Sequence, residues 1–446
     1  MIHIKNIKII TSIIILSTLI IFSFGYYKNS YSESGKGPVI IILIESLRAD
    51  HLPCYGYHRN TTLNICNLAD DGVLFENAYS QGTWTAMSVP YLLTSSLGSG
   101  VDNWTKSLAE NYITLAERLK KEGYDTIGAG KVSDLYVNTD QGLNEVNPQW
   151  ILESRNEKSP WFRRWEINGS RIKENDFLYY FVSEPHGPFI PPNEFRGIYE
   201  NISKNLTELD WEPTAANLGN PSHKKMMDTN KEELISLYDE ELLYVDQNVD
   251  NILDGLKERG LYQKSTIVVT GDHGVRLGER GGWLHMGPPD EEVIHVPLII
   301  KFPKNKFAGT RVNQLVRHMD IVPTIYDILG INEDTYGQSL VPAINGKKLD
   351  INVFSAEKIN KNWMIKNKNY KLTIGNPRNF CASLKSGEKT SNYNLTRYTK
   401  EKKEVYSIKK QFCEIYSEDS KRRDNNVKNI PKEELKKRLK EIGYIR

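Results

Sequence analysis

An excess of charge of either sign is missing from this sequence. Its 58 Lys and Arg face 56 Asp and Glu, a net charge of +2 over 446 residues, so no basic surface announces a nucleic-acid partner. Cysteine is scarce, 4 in all, and no two stand as C-x-x-C, which argues against a zinc site built from cysteines. No repeat of solenoid period runs through the chain. Long apolar runs are absent except at the start, and the Lys-rich KEELKKRLKE near the end reads as a solvated amphipathic helix.

The exception runs from Ile9 to Tyr27, uncharged, rich in Ile and Leu and preceded by Lys5 and Lys8. It approaches the ~20 residues a membrane-spanning helix needs, with the positive end cytoplasmic. A cleaved signal peptide would have a shorter core ending in small residues, whereas this segment ends FSFGYY, and no cysteine follows it for lipidation. Residues 1–27 are therefore expected to be an uncleaved transmembrane anchor and 28–38 a linker, with everything beyond lying outside the cytoplasm. Cys54, Cys66, Cys381 and Cys413 fit that compartment as disulfides, with three connectivities open.

Strand-length apolar runs then alternate with helical patterns. VIIILIE (39–45), FLYYFVS (177–183), STIVVTG (265–271) and VPLIIKF (296–302) suit strands buried on both faces. YITLAERLKKEGYDTIGAG reads as a helix, a glycine stop and a strand, and 231–260 has helical spacing up to Gly260. The alternation predicts an α/β fold, a largely parallel sheet between helices, over 39–348. Beyond it, NVFSAE, NWMIKNKNYKLTIG and EVYSIKKQF read as short antiparallel strands before a last helix, making 349–446 a smaller α+β subdomain. The stretches 136–176 and 191–230 are Asn-rich and give no clear pattern.

In such a sheet, chemistry collects where strands end. Glu45 closes one strand, Asp272 and His273 close another, and Thr85 opens a helix in GTWTAMSVP (82–90). Singly these are caps and turns. Together, two carboxylates, an imidazole and a hydroxyl form a four-donor set for one divalent cation, Zn or Mn by donor type, with Ca or Mg also compatible. A metal beside Thr85 would favour its alkoxide, making it a nucleophile. The helix start would help to hold an anion.

At this point the chain resembles the sulfatase branch of the alkaline phosphatase superfamily. ESLRADHLPCYGYHRNTT, GVLFENAYS, GYDTIGAGK, EPHGPF, GDHGVRLGE, HVPLII and RHMDIVPTIYDILG match family segments in order. The resemblance implies an alkaline-phosphatase-like fold, with 39–348 as the catalytic domain. Sulfatases that hydrolyse sulfate esters carry C-x-P-x-R or S-x-P-x-R, whose first residue becomes formylglycine; here Thr85, Met87 and Val89 stand at the three fixed positions, and Glu45 replaces the usual first aspartate. The set is similar to that of phosphoethanolamine transferases and lipoteichoic acid synthases. By that likeness Glu45, Thr85, Asp272 and His273 hold the metal, Thr85 attacks phosphorus, Lys131 lies near the nucleophile, and His186 and His285 contact the phosphoryl group or serve a second metal, one of them protonating the leaving oxygen.

The resemblance thus implies a membrane-anchored enzyme cleaving or transferring a phosphoester on lipid or glycan, with a phosphothreonine intermediate. A sulfatase working without formylglycine and a non-catalytic binder of phosphorylated or sulfated glycans are the alternatives. Other polar residues are assigned to structure: Asp320 and His295 to capping and packing, Arg48 and Asp50 to an ion pair, Asp239 and Asp246 to the solvated or packing faces of the long helix.

Overall fold

Every residue of VIIILI is buried, so this strand has no solvent face and belongs inside a sheet. The sheet has eight strands: β1 (Val39–Ile44), β2 (Val73–Tyr79), β3 (Asp125–Gly130), β4 (Glu145–Val146), β5 (Asp176–Val182), β6 (Thr266–Gly271), β7 (His295–Lys301) and β8 (Thr310–Arg317), in spatial order β8-β2-β7-β6-β1-β5-β3-β4. β7 runs against both its neighbours and every other pairing is parallel. The sheet is thus mixed but mostly parallel, as the alternation of strands and helices implied.

The computed structural model describes residues 37–100, 106–131, 139–155, 163–199, 221–285, 287–357, 362–387, 393–397, 405–426 and 428–429. The anchor expected at 1–27, nearly all of the linker and the Lys-rich C-terminal helix lie outside the described residues. Among the described residues no helix is long and apolar enough to cross a membrane.

Helices α1 (Leu63–Asp70), α2 (Thr85–Thr94), α3 (Leu115–Lys121), α4 (Lys231–Glu258) and α5 (Ile321–Leu329) cover the sheet. Side chains alternate along β1, so Val39, Ile41 and Leu43 join the core beneath α2, α3 and α5. Ile40, Ile42 and Ile44 join the opposite core, beneath α1 and α4. Asp239 and Asp246, two of the four aspartates of α4, are buried and engaged in packing, not solvated. Asp239 accepts from His51 at 2.7 Å, Tyr57 at 2.6 Å and Arg59 at 2.8 Å. Asp246 accepts the backbone N–H groups of Asn64 and Ile65, capping α1 from 181 residues away.

The C-terminal part is an antiparallel meander, β9 (Val353–Glu357), β10 (Asn362–Lys366), β11 (Tyr370–Ile374) and β12 (Tyr393–Arg397), backed by α6 (Pro377–Ser386) and α7 (Val405–Asn426). The expected strand EVYSIKKQF is instead the start of α7. Its apolar residues Val405, Ile408 and Phe412 fall at i, i+3 and i+7, one helical stripe, and Ile408 and Phe412 are buried. The disulfides pair Cys54 with Cys66 and Cys381 with Cys413, the second tying α6 to α7. In the Asn-rich stretch 136–176 lies a hairpin, Ile151–Arg155 with Arg163–Ile167.

Glu291 fastens the meander to the main sheet. Its carboxylate accepts from Lys366 at 2.8 Å, Lys371 at 3.0 Å and Tyr79 at 3.1 Å. Burial alone would raise this carboxyl, but the ammonium groups of Lys371 and Lys366 push it down to about 2. A depressed carboxylate stabilises the fold above its unfolded pKa, and that stability is lost as pH falls through the folded value. Glu291→Gln should therefore cost about 1 kcal/mol at pH 7, a modest figure because the side chain is 43% exposed. In thermal melts the difference from wild type should vanish between about pH 4.5 and pH 2; a difference constant over that range would refute the ion-pair assignment.

Candidate active site

β1 and β6 are neighbours with Ile44 opposite Gly271, so the residues that follow, Glu45 and Asp272, emerge side by side at one sheet edge. The turn after β1 is sharp, with Ser46 at φ 61°, a conformation uncommon for a non-glycine residue. It aims the Ser46 N–H at Asp272 Oδ1, 2.9 Å away, and Tyr238 donates to the Ser46 carbonyl at 2.9 Å. Lys131 follows β3 directly, and His186 follows β5.

Thr85 is the first residue of α2. The loop before it is held by the meander, since Thr83 N–H donates to the Ala356 carbonyl at 3.3 Å. Thr85 Oγ1 lies 3.1 Å from Glu45 Oε1 and 3.4 Å from His273 Nε2. Lys131 Nζ donates to Glu45 Oε2 at 2.8 Å. His186 Nε2 and His285 Nε2 face each other at 3.3 Å, and His186 Nε2 is 3.9 Å from Glu45 Oε1. The His285 ring lies 4.6 Å from that of His273, centroid to centroid. All seven residues singled out in the sequence therefore converge on one centre.

The electrostatics of this centre are unbalanced. His273 Nδ1 lies 2.8 Å from the Gly274 carbonyl, so it carries the proton and leaves Nε2 facing the Thr85 hydroxyl and, at 3.4 Å, Asp272 Oδ2. Asp272 is fully buried; its Oδ1 accepts from Ser46 and His273 N–H groups, while Oδ2 has no hydrogen-bond partner among the described residues. Burial raises the Asp272 carboxyl, and the Glu45 charge adds to this against His273. For Glu45 burial also acts upward, but Lys131 and His186 overcome it and hold the carboxyl below its usual range. His186 is pushed down by burial against the pull of Glu45, and His285 further, by burial and then by His273. Proton donation by either ring thus needs a bound anion beside it.

Two buried carboxylates, an imidazole lone pair and a hydroxyl oxygen, linked Glu45–Thr85–His273–Asp272 by steps of 3.1, 3.4 and 3.4 Å, fit a divalent cation by charge and donor type. Among the described residues no three His, Cys, Asp or Glu side chains are already closed around a metal-sized point.

Three supporting residues were not singled out in the sequence. Ser46 orients Asp272 as described, Ser80 Oγ donates to the Asp272 carbonyl at 2.6 Å, and Arg276 is 3.1 Å from Asp290 on the loop after His285. Arg276 alone could have been noticed, inside GDHGVRLGE. The residues assigned to structure are there: Arg48 pairs with Asp50 at 2.7 Å, Asp320 with Arg317 at 2.7 Å, and His295 stacks on Tyr79 at 5.2 Å.

Comparison with known proteins agrees with this fold. A family model described as Sulfatase matches residues 38–331, and a second, N-sulphoglucosamine sulphohydrolase, C-terminal, matches 281–443. N-acetylglucosamine-6-O-sulfatase of Bacteroides thetaiotaomicron is 22% identical over 428 residues, covering 75% of this chain and 75% of that protein. Phosphoethanolamine transferase EptA of Salmonella typhimurium is 26% identical over 290 residues, covering 63% of this chain; the chain spans only 49% of that transferase. Among solved structures, phosphonate monoester hydrolase of Agrobacterium radiobacter superposes with a TM-score of 0.62 at 15% identity, covering 89% of this chain and 100% of that one. Enzymes of this kind are hydrolases or transferases and commonly use a divalent metal ion. With the family model matched over well more than half its length, the chain belongs to the sulfatase family.

Proposed function

We propose that this chain cleaves or transfers a phosphoester group of lipid or glycan substrates through a phosphothreonine intermediate, outside the cytoplasm and tethered by residues 1–27. One observation carries the reading: the Thr85 hydroxyl starts a helix within 3.1 Å of Glu45 and 3.4 Å of His273, while the formylglycine motif is missing around it. A divalent metal held by Glu45, Thr85, Asp272 and His273, Zn or Mn by donor type, would supply the charge that makes this hydroxyl acidic and that offsets charge building on the phosphoryl oxygens.

Thr85 Oγ1 bonds to phosphorus as the ester P–O bond breaks in line, its proton passing to Glu45 Oε1, the nearest acceptor. His186 or His285 protonates the departing oxygen once the anionic substrate has raised its basicity. Lys131, beside Glu45, and the N–H groups of the first turn of α2 meet the equatorial oxygens. Water, or an acceptor hydroxyl or amine, then attacks phosphorus and gives its proton to the imidazole that lost one, while the P–Oγ1 bond breaks and Thr85 takes back the proton held by Glu45.

Intact-protein and peptide mass spectrometry after incubation with phosphoethanolamine, phosphoglycerol and aryl phosphate donors tests this. A mass increment on the Thr85 peptide is expected, and its size names the group carried. An unmodified Thr85 alongside turnover of aryl sulfates would favour a sulfatase without formylglycine instead.

A further inference from the structure

His186 stands on a loop that cannot hold itself. The segment EPHGPFI (184–190) follows β5 and contains two prolines, which have no N–H to give to a ladder. Its internal bonds are the His186 N–H to the Ser183 carbonyl at 3.0 Å and His186 Nδ1 to the Gly187 carbonyl at 2.8 Å. Neither ties the loop to the body of the domain. The apolar tie is Phe189, buried edge-on against Tyr238 of α4 at 5.3 Å.

The polar ties come from two side chains. Glu241 of α4, fully buried, accepts the Ile190 N–H at Oε1, 2.7 Å away. Arg164, on the hairpin strand Arg163–Ile167, donates to the Ile190 carbonyl, and its Nε lies 3.4 Å from Glu184 Oε1. Both backbone groups of Ile190 and the side chain of Glu184 are thus held by one pair of residues, with His186 between the two fixed points. The Arg164 guanidinium also lies over the Tyr244 ring at 5.4 Å, which fixes it against the same face of α4 as Glu241.

This arrangement is a poor one for stability. Two buried carboxyls share one guanidinium, and Glu184 Oε1 and Glu241 Oε2 have no hydrogen-bond partner among the described residues. Burial raises both carboxyls, with Arg164 acting against it. Arg164 and Glu241 make no hydrogen bond or ion pair to any of the seven residues of the centre; they reach it only through the loop.

We propose that Arg164 and Glu241 are positioning residues that brace the 184–190 loop and so set where His186 meets the reacting group. The assignment rests on the phosphoester reading for what His186 does there. A reacting group displaced by about 1 Å loses on the order of 100-fold in rate, so the brace has a large effect without touching substrate.

Aryl phosphate turnover and histidine NMR of the full-length chain in detergent test this. Glu241→Gln keeps an oxygen for the Ile190 N–H and should stay within about threefold of wild type. Glu241→Ala and Arg164→Met should each lower kcat by ~30–100-fold, in protein whose thermal midpoint stays above the assay temperature. In a His186→Gln background the same two substitutions should cost no more than about twofold further, because the brace then has nothing to position. Losses that multiply in full with that of His186→Gln would make both residues merely structural and overturn the proposal. The second readout needs no chemistry. The His186 ring resonance, assigned by its disappearance in His186→Gln, should shift in Glu241→Ala and Arg164→Met and stay in place in Glu241→Gln. An unmoved resonance in both disruptive variants overturns the brace. A wild type that turns over no phosphoester removes the reading of the reaction alone, and the resonance still decides the brace.

Discussion

Thr85→Ala is expected to lower kcat by at least ~10⁴-fold while the protein stays folded. Loss of an enzyme's nucleophile has costs of that order, because the remaining groups only bind and polarise. The structural cost is small: the side chain gives up a methyl and one hydrogen bond to Glu45, worth about 1 kcal/mol. The helix start survives because Trp84, not Thr85, occupies the N-cap. Thr85→Ser keeps the hydroxyl at the same position and should retain turnover within about 100-fold of wild type, with a phosphoserine in place of the phosphothreonine. Rapid-mix kinetics distinguish the cases: wild type and Ser variant show a burst of leaving group, and the Ala variant shows none. If the Ala variant turns over at more than ~1% of wild type, water attacks directly and the covalent route is wrong.

What could be read in advance follows from which interactions are local. Strands β1, β5 and β6 were legible because they are buried on both faces, so their sequences are dominated by apolar residues with no solvent-side alternation. The run that forms β7 was equally plain, yet nothing in an apolar run encodes direction, and the antiparallel pairing depends on the chain's path to it. The start of α7 was misread because Val405 and Tyr406 favour strands, whereas the burial of Ile408 and Phe412 against α6 and the meander settles the helix. Arg48 with Asp50 was visible two residues apart, but its second partner, Glu279, lies 231 residues away. The candidate site divides the same way. Glu45, Asp272 and His273 announce themselves as polar ends of apolar strands. The approach of His186 to His285 joins loops 99 residues apart, and only the family likeness placed those rings together.

Asp272→Asn is expected to make the metal-free protein more stable and the enzyme inactive. Asn keeps an oxygen for the N–H groups of Ser46 and His273, so the turn after β1 is preserved. Its amide replaces Oδ2, the buried oxygen that has no partner among the described residues, and can donate toward His273 Nε2, now 3.4 Å from that oxygen. The substitution also removes one of two buried carboxylates at the same sheet edge. Because the folded-state pKa of Asp272 lies above the unfolded one, its ionised form costs stability above that pKa, and the neutral amide is free of this cost. In chelator at pH 7 the variant should therefore melt higher than wild type, by about 1–2 kcal/mol of stability. Added Zn or Mn should raise the wild-type midpoint strongly and the variant's scarcely at all, since an amide is a poor ligand where a carboxylate is needed. The opposed signs are the point of the experiment. A variant that melts lower than wild type in chelator would mean Asp272 is held by the fold for its own sake, and an unchanged metal response would exclude it as a ligand. Both expected results together would show a carboxylate kept at the expense of stability for the charge it presents to the bound cation.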